Sequence, residues 1–390
     1  MTDPVAEAFA VLVGGGLARR ELDRGGRMLR WVEAGSGTPV VLEAGAMSPV
    51  VSYAAVFREL ATDHRVIAYD RAGYGVSDPA PLSVELQVGD LVALLDEVGP
   101  AVLVGHSWGG LLAQLATWER PDLIRGLVLL DPSHESFWDN ADPMPHPDRT
   151  KPPTTNPHHQ ELLEAAHELA ADITRSISPP TNPATAGSDD NITTPPSDTG
   201  SAGSRSVGSG AAAGSGNAGC RSVGSDAAAR AGNAGSAGSR SVGSGAAAGS
   251  GNAGCRSVGS DAAAGSGSVG AGELVGGVPV IGGLDLVGAC LSYVETDEQL
   301  FTYLDELPMV LDSVGELRER RGRGTWTGLP VVLLTATKGR AVEWTPRVIA
   351  VQEQLAVECK GRHQVVPESG HYLQIDVPEL VIACVREVGT

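Results

Sequence analysis

The chain has 390 residues with 47 acidic against 28 basic side chains, a formal net charge of −19. So acidic a chain lacks the electrostatic footprint of a nucleic-acid binder or of a protein drawn to anionic membrane surfaces. Five cysteines, an odd count without paired metal-site spacing, argue against a disulfide framework, since Cys220 and Cys255 are one position in two copies of a repeat.

The apolar piece at residues 8–13 has acidic residues before it and Arg19 and Arg20 after it. That charge order and the short apolar core do not make a secretory signal, and no run reaches transmembrane length. A cytoplasmic, reducing setting with no membrane span is expected. Residues 20–22 and 28–33 read as a strand pair around Gly25 and Gly26. Residues 39–43 are a continuous apolar strand of the kind covered on both faces, and they exit into Ala44, Gly45, Ala46 and Met47. A helix over 53–62 and a strand over 65–69 lead into the turn-forming segment Asp-Arg-Ala-Gly-Tyr-Gly-Val-Ser-Asp at 70–78, whose carboxylates Asp70 and Asp78 suit local backbone hydrogen bonding. A helix over 84–98 stops at Gly99 and Pro100.

The next strand, from Ala101, runs into Gly105-His106-Ser107-Trp108-Gly109, followed by a helical pattern over 111–119. A strand, a glycine-walled turn with serine at its apex and then a helix is the context of a nucleophile elbow, where a strained turn exposes a hydroxyl above the sheet. A further strand over 123–130 ends at Asp131 and Pro132. The alternation of strands and helices predicts an α/β fold, a mostly parallel sheet with helices on both faces.

After Pro132 the sheet pattern stops. Residues 133–182 are rich in proline and histidine, with one amphipathic helix whose stripe is Leu162, Ala166, Leu169 and Ile173. His158, His159 and His167 do not read as a metal site, because His159 and His167 fall about 80° apart around a helix. From 187 to 272 the chain is mostly Gly, Ala, Ser, Asn, Val and Arg, and residues 200–229 recur identically at 235–264. Without an apolar face such copies cannot stack as a solenoid, so a duplicated, disordered linker is expected. Helical patterns return at 286–294, 300–307 and 309–321, then a strand at 329–334, a helix at 346–359 and a last strand at 363–366. The expected organisation is a core of residues 1–132 and 325–390, interrupted by a helical cap at 133–324.

Three segments together resemble the α/β-hydrolase family: the elbow at Gly105, Ser107 and Gly109; the 70–78 loop; and Glu-Ser-Gly-His-Tyr-Leu-Gln-Ile-Asp-Val-Pro-Glu at 368–379. The resemblance covers about residues 21–131 and 325–387 and implies a catalytic triad with Ser107 as nucleophile and His371 as its base. A serine hydroxyl needs such a base at neutral pH. The resemblance also implies an oxyanion hole from the backbone N–H groups of Ala46 and Trp108, although Ala44 stands where the family often has histidine, which leaves the first donor open between Ala46 and Met47. The loop after the 329–334 strand, where the family usually carries its acid, has no carboxylate before Glu343. The family's second location is occupied by Asp131, the preferred acid. The implied protein is a cofactor-free, metal-free hydrolase of an ester-like small molecule, with amide, thioester or carbon–carbon bonds as alternatives; the serine disfavours the aspartate-based dehalogenase and epoxide hydrolase chemistries. A non-catalytic ligand-binding or signalling protein is the rival, and substrate identity and oligomeric state are not encoded in these motifs.

Overall fold

The computed structural model describes residues 3–152, 159–178, 283–321, 326 and 328–389, together with the backbone of two short strands near residue 276. The duplicated 187–272 segment falls outside the described side chains, and apart from Leu274–Val275 and Val278–Pro279 nothing between 179 and 282 is described.

The chain opens with a helix the sequence reading did not assign, α1 (Pro4–Val13). Asp3 caps it by accepting from the Ala6 N–H at 2.9 Å, Pro4 sits in its first turn, and Gly14 ends it at φ +68°. Its buried face reaches α2 (Ala54–Leu60), where Phe9 and Phe57 lie with ring centroids 4.4 Å apart. Strands β1 (Ala18–Asp23) and β2 (Met28–Ala34) form the expected antiparallel start. They are followed by β3 (Pro39–Glu43), β4 (Arg65–Asp70), helix α3 (Val84–Val98), β5 (Ala101–His106), α4 (Ser107–Glu119) and β6 (Ile124–Leu130).

The inserted region supplies α5 (His159–Ile177), the two-residue pair β7 (Leu274–Val275) and β8 (Val278–Pro279), then α6 (Leu286–Leu291), α7 (Asp297–Asp312) and α8 (Val314–Arg320). The sequence reading broke α7 near Pro308, yet the helix runs through it. The missing N–H and the ring clash cost about 3 kcal/mol; burial of Leu307, Pro308, Met309 and Val310 offsets this. A capping box of Thr296 and Gln299 fixes the start of α7. The core resumes with β9 (Val331–Ala336), α9 (Thr345–Glu358) and β10 (Arg362–Val366), and closes with α10 (Leu373–Asp376) and α11 (Pro378–Val388).

The eight long strands lie in the order β1-β2-β4-β3-β5-β6-β9-β10. Every pair from β4 across to β10 is parallel, and β1 and β2 are antiparallel at one edge. Central strands buried on both faces need apolar side chains at consecutive positions, which is why β5 reads Ala-Val-Leu-Val and β6 ends Leu-Val-Leu-Leu. One apolar layer packs under α1, α2 and α11, the other under α3, α4 and α9. This is the α/β-hydrolase fold expected from the sequence. Parallel strands end on one side, so the segments after β3, β5, β6, β9 and β10 all open at one edge of the sheet, beneath the inserted helices. Among the described residues no helix is long and apolar enough to cross a membrane, and Cys290, Cys359 and Cys384 are buried free thiols.

Candidate active site

Ser107 opens α4 directly from the end of β5, at φ +53°. A left-handed serine carries a strain of about 1–3 kcal/mol that the surroundings must impose. The glycines explain how. A Cβ on Gly105 would stand 2.6 Å from the Gly109 carbonyl oxygen, and one on Gly109 would stand 2.3 Å from the Ala44 oxygen. Strand, helix and the turn after β3 therefore touch through backbone alone, and the hydroxyl is left facing the cavity that Ser107 lines.

Asp131 terminates β6, buried, at φ +44°. Its N–H donates to the Leu334 carbonyl at 2.7 Å, which pins it to β9. Its carboxylate receives His371 Nδ1 at 2.6 Å and Gln352 Nε2 at 3.1 Å, and the oxygen facing His371 also takes the guanidinium of Arg340. Burial pushes this carboxyl up, but the Arg340 charge and the His371 and Gln352 hydrogen bonds outweigh it and hold it below the usual carboxylate range. It is an ionised acceptor. Glu343, by contrast, is exposed, and no contact brings it to His371. Arg340 sits on the very loop where the family usually places the acid, so the loop contributes a cation to Asp131.

The segment carrying His371 is fixed by its own motif. Asp376 accepts from the Gly370 N–H at 2.7 Å, and Pro378 starts α11. His106 is buried as expected; its Nε2–H donates to the His371 carbonyl at 2.8 Å, and the two rings stand 4.6 Å apart. Burial, and then the charge of His371, push His106 down to about 3, so it stays neutral.

The turn after β3 is held by residues the sequence reading left out. Buried Arg71 donates to the carbonyls of Ala44 at 2.7 Å and Gly45 at 2.8 Å and pairs with Glu43 and with Glu306 of α7, at 2.8 Å each. Burial pushes the Glu43 carboxyl up against the pull of Arg71, and the Tyr69 hydroxyl donates to it. The Met47 N–H donates to Glu306 at 2.7 Å, and Ala46 and Met47 both line the cavity above Ser107. Trp108, in the first turn of α4, has no carbonyl beneath its N–H. Arg71 was visible in the 70–78 motif, but Glu306 carried no signal beyond a helical pattern. Asp78 bonds outside its own loop, accepting from the Met28 N–H of β2 at 2.8 Å and pairing with Arg30. Asp70 takes the local backbone hydrogen bond expected, from the Val76 N–H, and also receives the hydroxyl of Tyr293 from the inserted region.

These groups border a cavity of about 520 Å³. Its floor is Ser107, Asp131 and His371; its roof carries Leu162 and Leu169 of α5, Leu307 and Val310 of α7, and Trp138, together with the carboxylates Glu168 and Asp172 of α5. His167 is outside the cavity lining, its Nδ1–H donating to the Leu163 carbonyl at 2.8 Å, while His158 lies outside the described residues.

A sequence profile described as the alpha/beta hydrolase family matches residues 35–383. The chain is similar to epoxide hydrolase 4 of Mus musculus, 34% identical over 93 residues, 22% of this chain and 26% of that protein. It is also similar to lipase LipV of Mycobacterium tuberculosis, 45% identical over 71 residues, 17% of this chain and 27% of that protein. The matched part thus spans about a quarter of the length of these curated relatives. Among solved structures, Cfl2 from Burkholderia cenocepacia shares the fold with a TM-score of 0.53 at 17% identity, over 96% of each chain.

Proposed function

Because the chain belongs to the alpha/beta hydrolase family, whose profile spans residues 35–383, we propose that it is a serine hydrolase that cleaves an ester-like bond of a small molecule through an acyl-enzyme. The observation that carries this reading is the 2.6 Å pairing of Asp131 with His371 Nδ1 in the cavity that Ser107 lines. Asp131 holds the Nδ1–H tautomer, which leaves Nε2 of His371 as the base.

Ser107 Oγ attacks the carbonyl carbon as His371 Nε2 takes its proton, and the N–H groups of Ala46 and Trp108 receive the developing oxyanion. The same imidazolium gives its proton to the departing alkoxide, which leaves the acyl group on Ser107. Water then attacks, His371 takes a proton from it and returns one to Ser107, and the acid is released. Each step moves only protons and one acyl group, so the reaction asks for no cofactor. The roof side chains of Leu162, Leu169, Leu307 and Val310 suit an acyl or alkyl group. Core residues 1–132 and 325–390 supply the reacting groups, and the insertion at 133–324 supplies that roof.

A fluorophosphonate probe tests the reading, because it reacts with a serine that is both activated and beside an oxyanion site. Mass spectrometry is expected to find the label on Ser107 and none on Ser107→Ala. An unlabelled wild-type protein would turn the reading toward a non-catalytic binding protein on the same fold.

A further inference from the structure

The turn that carries Ala46 is gripped from two sides by groups outside it. Arg71 holds the carbonyls of Ala44 and Gly45, and Glu306 holds the N–H of Met47. Glu306 is wholly buried on α7. One of its oxygens accepts from Met47 and from the Tyr74 hydroxyl, the other from Arg71 at 2.8 Å and from Gln87 Nε2 at 2.9 Å. Four donors satisfy it completely, which a buried carboxylate requires.

We propose that Glu306 is a positioning residue that makes the oxyanion site depend on the docking of α7: with Arg71 it turns the Ala46 N–H toward the space above Ser107. The proposal rests on the acyl-transfer reading and adds which buried group sets the donor geometry. In a trans peptide the C=O and N–H point to opposite sides of the chain. The Gly45 carbonyl is aimed at buried Arg71, so the N–H of Ala46 in the same peptide unit is aimed the other way, at the cavity Ala46 lines. In the next peptide unit the Met47 N–H goes to Glu306, which fixes the twist between the two units at the Ala46 Cα they share. Gln87 extends the grip: while its Nε2 donates to Glu306, its Oε1 accepts the Trp108 indole N–H at 2.8 Å. One carboxylate from the inserted helix thus steadies both residues whose N–H groups face the oxyanion.

The experiment compares Glu306→Gln and Glu306→Asp with Arg321→Met, which breaks a different tie of the inserted region, that of Arg321 to buried Glu135. Hydrolysis of p-nitrophenyl butyrate gives kcat and KM, a trifluoromethyl ketone reports the affinity for an oxyanion, and thermal melting reports the fold. Wild-type protein that neither hydrolyses the ester nor takes a fluorophosphonate label refutes the acyl-transfer reading itself, and this proposal with it. With an active wild type, both Glu306 variants are expected to lose kcat by about 10- to 100-fold, the scale of a misplaced catalytic donor. KM changes by less than about threefold, and ketone affinity falls in step with kcat. Arg321→Met melts earlier but keeps kcat and ketone affinity. Unchanged kcat and ketone affinity in the Glu306 variants, or an equal loss in Arg321→Met, overturns the proposal. If neither Glu306 variant folds, residue-resolved amide exchange on the wild type decides: Met47 N–H protected throughout and Ala46 N–H protected only with the ketone bound is the expected pattern. A freely exchanging Met47, or an Ala46 indifferent to the ketone, overturns it.

Discussion

Replacing Asp131 by asparagine tests the candidate site most sharply, because every neighbour of that carboxylate is a donor. His371 Nδ1, Arg340 and Gln352 Nε2 all point hydrogens at it. An amide of the same shape must present its own NH2 to one of them, and it brings no charge. Two consequences follow for the rate. The imidazolium formed during acyl transfer loses its counter-charge, and Arg340, left without its partner, opposes protonation of the ring beside it. Neutralising a triad acid costs about four powers of ten in kcat, or about 5.4 kcal/mol of transition-state stabilisation at 1.36 kcal/mol per power. For stability, the Asp131 side chain has no exposed surface and that of Arg340 is 23% exposed. Breaking a buried pair costs about 3–5 kcal/mol, and the partial exposure of Arg340 places this one near the lower end. At a few degrees per kcal/mol the melting temperature falls by roughly 6–12 °C. Ester hydrolysis normalised to folded protein, with circular dichroism as control, provides the measurement. Adding Arg340→Met to Asp131→Asn is expected to recover part of the rate, since it removes the unopposed cation. An Asp131→Asn enzyme within tenfold of wild type, or a Glu343→Gln enzyme as damaged as Asp131→Asn is expected to be, would refute the reasoning.

Gly109→Ala, whose methyl would meet the backbone oxygens of Ala44 and Glu43 at 2.3 and 2.6 Å, is expected to abolish fluorophosphonate labelling and to lower stability by at least the 1–3 kcal/mol typical of overpacking, about the scale a urea titration resolves. His106 is held down to about 3 against an ordinary value of 6.5, so between these pH values the unfolded chain binds the extra proton. Stability therefore falls as pH drops through that window, with a limiting slope of about 1.4 kcal/mol per unit. His106→Gln should flatten this limb of a pH-resolved urea titration, and an unchanged slope would contradict the assignment. Asp131, whose carboxyl is depressed, contributes stability that is complete above the ordinary carboxylate value of 3.8 and lost only below it. Excision of residues 200–264, which carry no apolar face, is expected to leave melting temperature and ester hydrolysis nearly unchanged; a large loss of either would contradict the compositional argument.

The sequence by itself determined the elements whose signals are local. The strand, turn and helix around Ser107 lie within twenty consecutive residues, and the His371 segment carries in Asp376 and Pro378 the groups that shape it, so both were legible without the fold. The parallel sheet was legible for the same reason, since burial on both faces demands continuous apolar runs. Helix α1 has only a short apolar run, too little for the sequence to mark it as a helix, and α7 reads as two helices at Pro308 because local propensity cannot count the burial that offsets a proline. What only the tertiary structure decided is how buried polar groups are paired. Asp131 meets His371 across 240 positions of sequence, and Glu306 takes the Met47 N–H across 259. Hydrophobic periodicity says which face of an element turns inward, but a carboxylate's partner depends on which distant donors the packed elements bring to it. That is why the sequence leaves Asp131 against Glu343, and Ala46 against Met47, open, whereas in the packed fold it is Asp131 that meets His371 and the Met47 N–H that meets Glu306.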